Sequence, residues 1–196
     1  DREATAKFAI TLLAWLRGSI CLYQGEELGL EEAELAYEDL RDPVGIRFWP
    51  GIKGRDGCRT PMVWEAEAPN AGFSAGKPWL PVAPAAITRA ADRQETDPAS
   101  VLNYYRQILH RRRDETILLH GAIEFLPAPD GVLAFTRQLA DKKILCVFNF
   151  STNAAEFSSN SDLTVGSDTI FPGETARISK NIIDLEPLGN FVARLR

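Results

Sequence analysis

Two arginines flank an aspartate in the segment 54–64, which reads Gly-Arg-Asp-Gly-Cys-Arg-Thr-Pro-Met-Val-Trp. Arg55 and Arg59 stand four residues apart, and Asp56 directly follows the first of them. A guanidinium presents its N–H donors in a fixed fork, so it pairs with carboxylates or neighbouring hydroxyl groups with better-defined geometry than a lysine. The pattern indicates either a ligand-binding loop or, for Arg59 and Asp56, a loop braced by its own side chains.

A pair of acidic residues lies upstream, in Gln24-Gly-Glu-Glu-Leu-Gly29. Glu26 and Glu27 follow a short apolar run, and the glycines at 25 and 29 permit tight backbone turns on either side. Adjacent carboxylates there could bind hydroxyl groups or shift the pKa of a neighbouring carboxyl group. The alternative is that they hold the loop through hydrogen bonds to its own backbone.

The cysteines and histidines form no recognisable reactive set. Cys21, Cys58 and Cys146 are widely spaced and lack a Cys-x-x-Cys pair, which favours a reducing, cytoplasmic environment over secretion. We expect Cys21 and Cys58 to be packed thiols, and we expect His110 and His120 to be structural residues in a helix and in a first sheet strand. The sequence therefore predicts no metal site and no cofactor.

The charge balance excludes two classes of partner. The 196 residues include 27 acidic and 22 basic side chains, for a formal net charge of -5. Such a chain lacks the positive surface that nucleic acid or anionic lipid would require. No stretch approaches the roughly 18 apolar residues of a membrane span. We therefore expect neither nucleic acid nor a membrane as a partner.

The elements that must position these residues begin with a helix at residues 3–17, where apolar side chains recur at helical spacing. The apolar run 19–23 is too short for a helix and does not alternate, which predicts a strand covered on both faces. Residues 24–99 carry most of the glycines and prolines and form a long loop, and helical spacing returns at 98–113. The first 113 residues thus read as part of a parallel α/β unit that cannot close by itself.

After Asp114 the pattern changes to short segments rich in β-branched and aromatic residues, separated by turn sequences such as Pro-Asp-Gly. This pattern predicts an all-antiparallel β domain, folded as a small sandwich. The expected strands are residues 117–125, 131–139, 143–150, 155–158, 175–178 and 191–195.

The beginning of the chain is typical of the interior of a longer protein. It starts Asp1-Arg2-Glu3, enters a helical pattern at once, and has its single methionine at Met62. We therefore expect an N-terminal barrel portion to precede it as a covalent or separate partner.

Several short motifs are more specific than the composition. In this order they resemble the α-glucosidase and oligo-1,6-glucosidase branch of glycoside hydrolase family 13, the α-amylase superfamily, over essentially the whole chain. The motifs are Tyr23-Gln-Gly-Glu-Glu-Leu-Gly29, the Arg55 segment, Pro69-Asn-Ala-Gly-Phe73, Lys77-Pro-Trp79, Leu133-Ala-Phe135-Thr-Arg137 and Phe148-Asn-Phe150-Ser151.

The resemblance implies an α/β plus all-β architecture. Residues 1–113 would be helix 7, strand 8, the long eighth loop and helix 8, the C-terminal quarter of a TIM (β/α)8 barrel. Residues 114–196 would be the C-terminal antiparallel β-sandwich domain.

The resemblance also implies a retaining mechanism with an aspartate nucleophile, a glutamate acid/base and a second, sugar-binding aspartate. The first two carboxyl groups must lie about 5–5.5 Å apart. In the family these residues come from strands four, five and seven, which precede this chain. We therefore expect no catalytic residue here and no activity from the chain alone.

Two substrate-binding residues follow from the resemblance. Arg55 matches a family arginine that pairs with an aspartate from the barrel's first loop and hydrogen-bonds the non-reducing glucose. Glu32 falls where relatives place a residue facing the leaving-group side of the substrate. Arg59 and Asp56 are expected to brace the loop.

The function that these implications favour is hydrolysis of terminal α-glucosidic bonds in oligosaccharides and α-glucosides by the complete protein. One alternative is a sucrose isomerase or glucosyltransferase of the same family. Another, from a different class, is a non-catalytic carbohydrate-binding or assembly module. Linkage preference and oligomeric state are not encoded in these motifs.

Overall fold

The computed structural model describes residues 2–158, 165–169, 176–179 and 181–195. The chain divides into two compact units. One comprises Asp1–Ile20 together with Gln107–Arg196, and the other comprises Cys21–Arg106. The predicted domain division between residues 113 and 114 stays a prediction.

The helices lie mainly before the sheets. In chain order they are α1 Arg2–Trp15, α2 Pro43–Phe48, α3 Pro84–Ile87, α4 Ala91–Glu95, α5 Val101–Asp114 and α6 Thr116–His120. Short 3-10 helices occupy Glu26–Leu28, Tyr37–Asp39, Asp56–Arg59 and Pro69–Gly72.

Two antiparallel sheets form the sandwich. The strands are β1 Ala122–Leu126, β2 Val132–Leu139, β3 Lys142–Asn149, β4 Ala155–Ser158, β5 Val165–Thr169, β6 Ala176–Ser179, β7 Ile182–Leu185 and β8 Asn190–Leu195. One sheet has the order β1-β2-β3-β8-β5 and the other the order β4-β7-β6. The predicted antiparallel sandwich is confirmed.

The core of the sandwich draws on both sheets. Leu145 and Val147 of β3 pack in one cluster with Phe157 of β4 and Ile183 of β7. Because side chains alternate along a strand, the neighbouring residues of β3 point to the opposite face. There the Phe148 ring meets the Phe8 ring of α1 edge to face, with 5.7 Å between centroids. Strand β3 is therefore buried on both faces, one against the second sheet and one against α1.

One predicted strand is wrong, and another is correct only in its second half. Residues 19–23 form no strand in the described structure, and both Cys21 and Tyr23 are exposed. A parallel strand exists only through hydrogen bonds to a neighbour, and the described ranges contain no partner for this run. Residues 117–125 divide into α6 and β1, because a short apolar run does not distinguish helix from strand. His120 accordingly ends a helix. Strands β5 and β7 lie outside the prediction.

In the unit that contains the sandwich, a buried arginine joins helices α1 and α6 to the five-stranded sheet. Arg137 of β2 is 0% exposed, and its Nη1 donates to the Trp15 carbonyl oxygen at 2.8 Å. Its Nη2 donates to the carbonyls of Ile117, Leu118 and Gly121 at 3.1, 2.9 and 2.9 Å. These oxygens lie at the C-terminal end of α1 and along α6 to its cap, where helix carbonyls carry partial negative charge. The Ile117 oxygen also accepts from the Gly121 N–H at 2.9 Å. Burial lowers the pKa of Arg137.

A second arginine serves the same helix end. Arg112 of α5 donates to the carbonyls of Ala14, Leu16 and Gly18. Helix α1 has no basic residue in its own last turn. Its C-terminus is therefore capped by cations from two other elements, which ties α1 to α5 and to β2.

The second unit contains only short helices among its described residues, and it has a small apolar core of its own. Leu28, Met62, Val63, Ala71, Ala90 and Leu102 form one buried cluster. The side chain of Gln94 organises the backbone around this core. It donates to the carbonyls of Leu28 and Arg89 at 3.0 and 2.8 Å and accepts from the Leu102 N–H at 3.1 Å. The long predicted loop is thus a packed unit.

We predict that Arg137→Leu destabilises the chain by about 3 kcal/mol, since four carbonyl oxygens lose a charged donor inside the protein. Urea unfolding followed by far-ultraviolet circular dichroism measures this change. The matched control is Arg113→Leu, because Arg113 is 69% exposed and forms a surface ion pair with its neighbour Asp114. That change should cost less than about 0.5 kcal/mol. Equal costs for the two variants would contradict the capping role.

Candidate substrate-binding loop

Residues 42–56, here called the Arg55 loop, form a closed loop whose first and last residues lie next to each other. Gly45 passes so close to the other arm that a Cβ on it would lie 2.4 Å from the Lys53 carbonyl oxygen. Gly54 adopts a φ of +74°, a backbone conformation that costs glycine little. The loop is therefore closed near its base, with Asp42 and Arg55 side by side.

Asp42 ties the two arms together. Its Oδ1 accepts from the Val44 N–H at 2.9 Å and caps helix α2, which begins at Pro43. Aspartate followed by proline is a favoured start for a helix. The other oxygen, Oδ2, accepts from the Arg55 N–H at 2.9 Å. One carboxylate thus starts α2 and fixes the backbone of Arg55.

The charge of Asp42 is stabilised by these contacts. Its pKa lies below the ordinary value of 3.8, first because Val44 and then Arg55 donate backbone hydrogen bonds to the carboxylate. Burial opposes this shift, and the Arg55 and Arg59 charges add to it. Asp42 is therefore an ionised anchor at neutral pH and a poor proton donor.

The Arg55 side chain reaches outward from this anchor. Its Nε lies 3.7 Å from Asp42 Oδ2, while the side chain as a whole is 72% exposed. The Asp42 carboxylate thus attracts the guanidinium at Nε, and the side chain otherwise faces solvent. Sequence reasoning assigned Arg55 but missed Asp42, although the Asp-Pro pair was a visible helix-start signal.

Asp56 braces the same loop, as the sequence predicts. The residue is fully buried, and its Oδ2 accepts from the backbone N–H groups of Arg41 and Asp42 at 2.5 and 2.6 Å. Hydrogen bonds from N–H groups to a carboxylate are stronger than those to a neutral acceptor. Asp56 therefore holds the backbone of Asp42, and the Asp42 carboxylate in turn holds the backbone of Arg55.

Glu27 follows the alternative interpretation. Glu27 Oε2 accepts from the Gly25 N–H at 2.8 Å, so this carboxylate holds its own turn. Gly25 and Gly29 have φ values of +92° and +64°. The Tyr105 hydroxyl has a pKa raised to about 12, mainly by burial and then by the charges of Glu26 and Glu27.

Glu32 lies beside the Arg55 loop without meeting Arg55. A Cβ on Gly57 would come within 2.6 Å of Glu32 Cγ, so Glu32 packs directly over that glycine. Glu32 also borders a cavity of about 100 Å³, together with Tyr23 and Cys58. The residues that border this cavity do not include Arg55. The two predicted binding residues are therefore neighbours on separate surfaces.

The prediction of packed thiols at Cys21 and Cys58 is wrong, because both residues are exposed. Cys58 Sγ donates to the Arg55 carbonyl oxygen at 3.0 Å and accepts from the Tyr23 hydroxyl at 3.8 Å. The Cys58 contact raises the pKa of Tyr23. Cys146 is buried, which raises its thiol pKa.

His110 and His120 belong to the other unit, in α5 and at the end of α6. Within the described ranges, no group of three histidine, cysteine or acidic side chains is arranged to hold a metal ion.

These observations define the class of protein: a segment of helices and an arginine-bearing loop, followed by an antiparallel β-sandwich. Residues 1–121 match the family described as "Alpha amylase, catalytic domain", and residues 123–174 match "Maltogenic Amylase, C-terminal domain". The chain belongs to the α-amylase family. The predicted fold, the last quarter of the (β/α)8 barrel followed by a sandwich, is confirmed.

Two named relatives are similar over most of the chain. It is 54% identical over 79% of its length to the "Probable alpha-glucosidase" of Rhizobium meliloti, and covers 28% of that protein. It is 30% identical over 80% of its length to the oligo-1,6-glucosidase of Parageobacillus thermoglucosidasius, and covers 31% of it. The chain therefore spans about a third of the length of these relatives.

Solved structures give the same picture. The α-glucosyl transfer enzyme XgtA has a TM-score of 0.91 at 43% identity, over 99% of this chain and 36% of that one. Isomaltulose synthase from Erwinia rhapontici has a TM-score of 0.84 at 29% identity, over 100% of this chain and 38% of that one.

We predict that Asp42→Asn lowers the thermal unfolding midpoint at pH 6 and that this deficit narrows as the pH falls. The pKa of Asp42 is lower in the folded state than in the unfolded state, so its contribution to stability is complete above about 3.8. It is lost as the pH falls through the folded pKa.

Thermal melts of both proteins between pH 2 and 6, followed by tryptophan fluorescence, provide the measurement. Asp42→Ser is a control that keeps a helix-capping oxygen but no titrating group, and its deficit should narrow in the same way. A deficit that stays constant over the whole range would show that the carboxylate charge does not matter.

Proposed function

We propose that the protein containing this chain is a retaining α-glucosidase that hydrolyses terminal α-glucosidic bonds of oligosaccharides and short α-glucosides. The observation that carries this proposal is the outward guanidinium of Arg55, anchored by Asp42 in a closed loop. The 54% identity to a protein named as an α-glucosidase supports it.

Arg55 is proposed to hydrogen-bond the non-reducing glucose. Its guanidinium offers paired N–H donors, which suit adjacent sugar hydroxyls or a carboxylate that also contacts the sugar. Because Asp42 already holds the backbone N–H of Arg55, ordering this loop on binding costs less conformational entropy. Glu32 is proposed to face the leaving-group side, where it borders its own cavity.

The chain itself is proposed to supply binding and not bond cleavage. A retaining glycosidase needs two carboxyl groups about 5–5.5 Å apart, one of them able to donate a proton. The buried carboxylates Asp42 and Asp56 instead accept backbone N–H groups. We infer that the nucleophile and the acid/base belong to the preceding portion of the catalytic domain.

We propose that residues 1–113 are the end of the catalytic barrel and that residues 114–196 are a separate sandwich domain. None of the helices in the described part of the chain is both long and apolar enough to cross a membrane. We place the protein in the cytoplasm on the basis of its three free thiols, Cys21, Cys58 and Cys146.

Glucosyl transfer is a second candidate, favoured by the TM-score of 0.91 to XgtA. Hydrolysis and transfer share the glucosyl-enzyme intermediate and differ in whether water or another hydroxyl attacks it. Product analysis with maltose or sucrose as donor separates them. Free glucose indicates hydrolysis, whereas new glucosides or sucrose isomers indicate transfer.

We predict that Arg55→Ala, made in the protein that also carries the preceding catalytic portion, lowers kcat/KM for nitrophenyl α-glucoside about 100-fold. Arg55→Lys should recover little, because an ammonium group lacks the fork. The control is Arg93→Ala, which removes an exposed arginine of the same unit that pairs with Glu67. If kcat/KM of the Arg55→Ala enzyme stays within threefold of the parent value, Arg55 does not bind the substrate and only stabilises the loop.

The chain of 196 residues by itself should release no glucose from nitrophenyl α-glucoside, because it lacks the proposed nucleophile and acid/base. Adding the preceding catalytic portion should restore turnover. The protein should be purified from a host that lacks α-glucosidases. Activity in that sample would disprove the division of roles, and inactivity of the completed protein would favour the non-catalytic module.

A further inference from the structure

Asp56 has features that loop bracing alone does not require. It is fully buried, and a single oxygen, Oδ2, accepts both backbone N–H groups, from Arg41 and Asp42. The other oxygen, Oδ1, is buried and finds no hydrogen-bond partner among the described residues. A buried carboxylate oxygen without a donor is costly. The two N–H bonds to Oδ2 therefore carry all of the hydrogen bonding seen for this carboxylate among the described residues.

The contacts of Asp56 lead to Arg55 in two steps. Asp56 Oδ2 holds the N–H of Asp42 at 2.6 Å. The Asp42 carboxylate then holds the Arg55 N–H at 2.9 Å and lies 3.7 Å from Arg55 Nε. The backbone position of Asp42 therefore decides where its carboxylate, and with it the guanidinium, can lie.

We propose that Asp56 is a positioning residue for glucose binding by Arg55, acting through Asp42. This inference rests on the proposed function. Asp56 fixes the Asp42 backbone, the Asp42 carboxylate orients the Arg55 guanidinium, and the guanidinium meets the sugar. Asp56 touches no substrate, so its loss weakens sugar binding more than it slows bond cleavage.

The experiment uses the complete protein, with nitrophenyl α-glucoside as substrate. Asp56→Ala removes the acceptor and should raise KM at least about tenfold with kcat nearly unchanged, since a small displacement of a binding group is costly. Asp56→Asn keeps an oxygen that can accept both N–H groups, and it should stay within about threefold of the parent.

The matched control is Asp92→Ala. Asp92 is an exposed carboxylate of the same unit that accepts the backbone N–H of Ala66 at 3.1 Å and that of Arg93 at 2.8 Å. It braces a different stretch of backbone, through contacts to Ala66 and Arg93 and not to Arg41, Asp42 or Arg55. Asp92→Ala should lower the thermal midpoint and leave KM unchanged. A rise in KM equal to that of Asp56→Ala would overturn the positioning role.

A double-mutant cycle decides whether the effect passes through Arg55. In an Arg55→Ala background, Asp56→Ala should cause no further loss of kcat/KM, because the group that it positions is gone. Additive losses would overturn the proposal. If Asp56→Ala does not fold, Asp56→Ser takes its place, because its shorter side chain withdraws the acceptor from the Arg41 and Asp42 N–H groups, with the same expected rise in KM and the same non-additivity.

The outcomes separate this proposal from the proposed function. A parent without α-glucosidase activity, or an Arg55→Ala variant within threefold of the parent, overturns the proposed function and this inference with it. Normal parent activity and a 100-fold loss in Arg55→Ala, combined with an unchanged KM in Asp56→Ala, overturn the positioning role alone.

Discussion

The structure depends on charged side chains that satisfy backbone groups where regular hydrogen bonding stops. Arg137 donates to four carbonyls at the ends of α1 and α6, and Asp56 accepts two N–H groups at the base of the Arg55 loop. Buried backbone groups must find partners, and an irregular segment cannot supply them from its own helix or sheet. In both units the partner is a side chain distant in sequence, which makes each contact a tertiary one.

This constraint explains how little of the long central segment is helix or strand. Its apolar core is small, Gln94 organises the backbone around that core, and Asp42 and Asp56 hold the backbone of the Arg55 loop. A loop fixed by directional bonds can hold one exposed side chain at a defined place. Arg55 is such a side chain, since only its base is anchored.

The same bonds limit what the acidic residues can do. A carboxylate that accepts backbone N–H groups stays ionised, as the lowered pKa of Asp42 shows. Proton donation in glycoside hydrolysis needs a carboxyl group whose pKa is raised. Asp42 is therefore suited to holding the Arg55 loop and not to donating a proton.

Membership of the α-amylase family accounts for the order of the two kinds of structure. Residues 1–121 follow the catalytic domain of that family, and the sandwich begins immediately afterwards at β1. Proteins similar to this chain include one named as an oligo-1,6-glucosidase and one named as an α-glucosyl transfer enzyme. Whether such a protein transfers a glucosyl group to water or to another hydroxyl must therefore depend on features that these two proteins do not share.

Local information in the sequence was enough for much of this protein. Helical spacing predicted α1 and α5, alternating segments predicted β2, β3, β4, β6 and β8, and the motif order identified the family. Each of these signals lies within a few adjacent residues. Arg55 was also found in this way, because its motif is continuous.

Only the tertiary structure decided the rest. Residues 19–23 have the composition of a buried strand but no neighbour to pair with in the described structure, and residues 116–120 became a helix. The exposure of Cys58 and the contact between Asp42 and Arg55 depend on how the Arg55 loop closes. Strand pairing, solvent exposure and the partners of a charged group are set by residues distant in sequence, so no local pattern contains them.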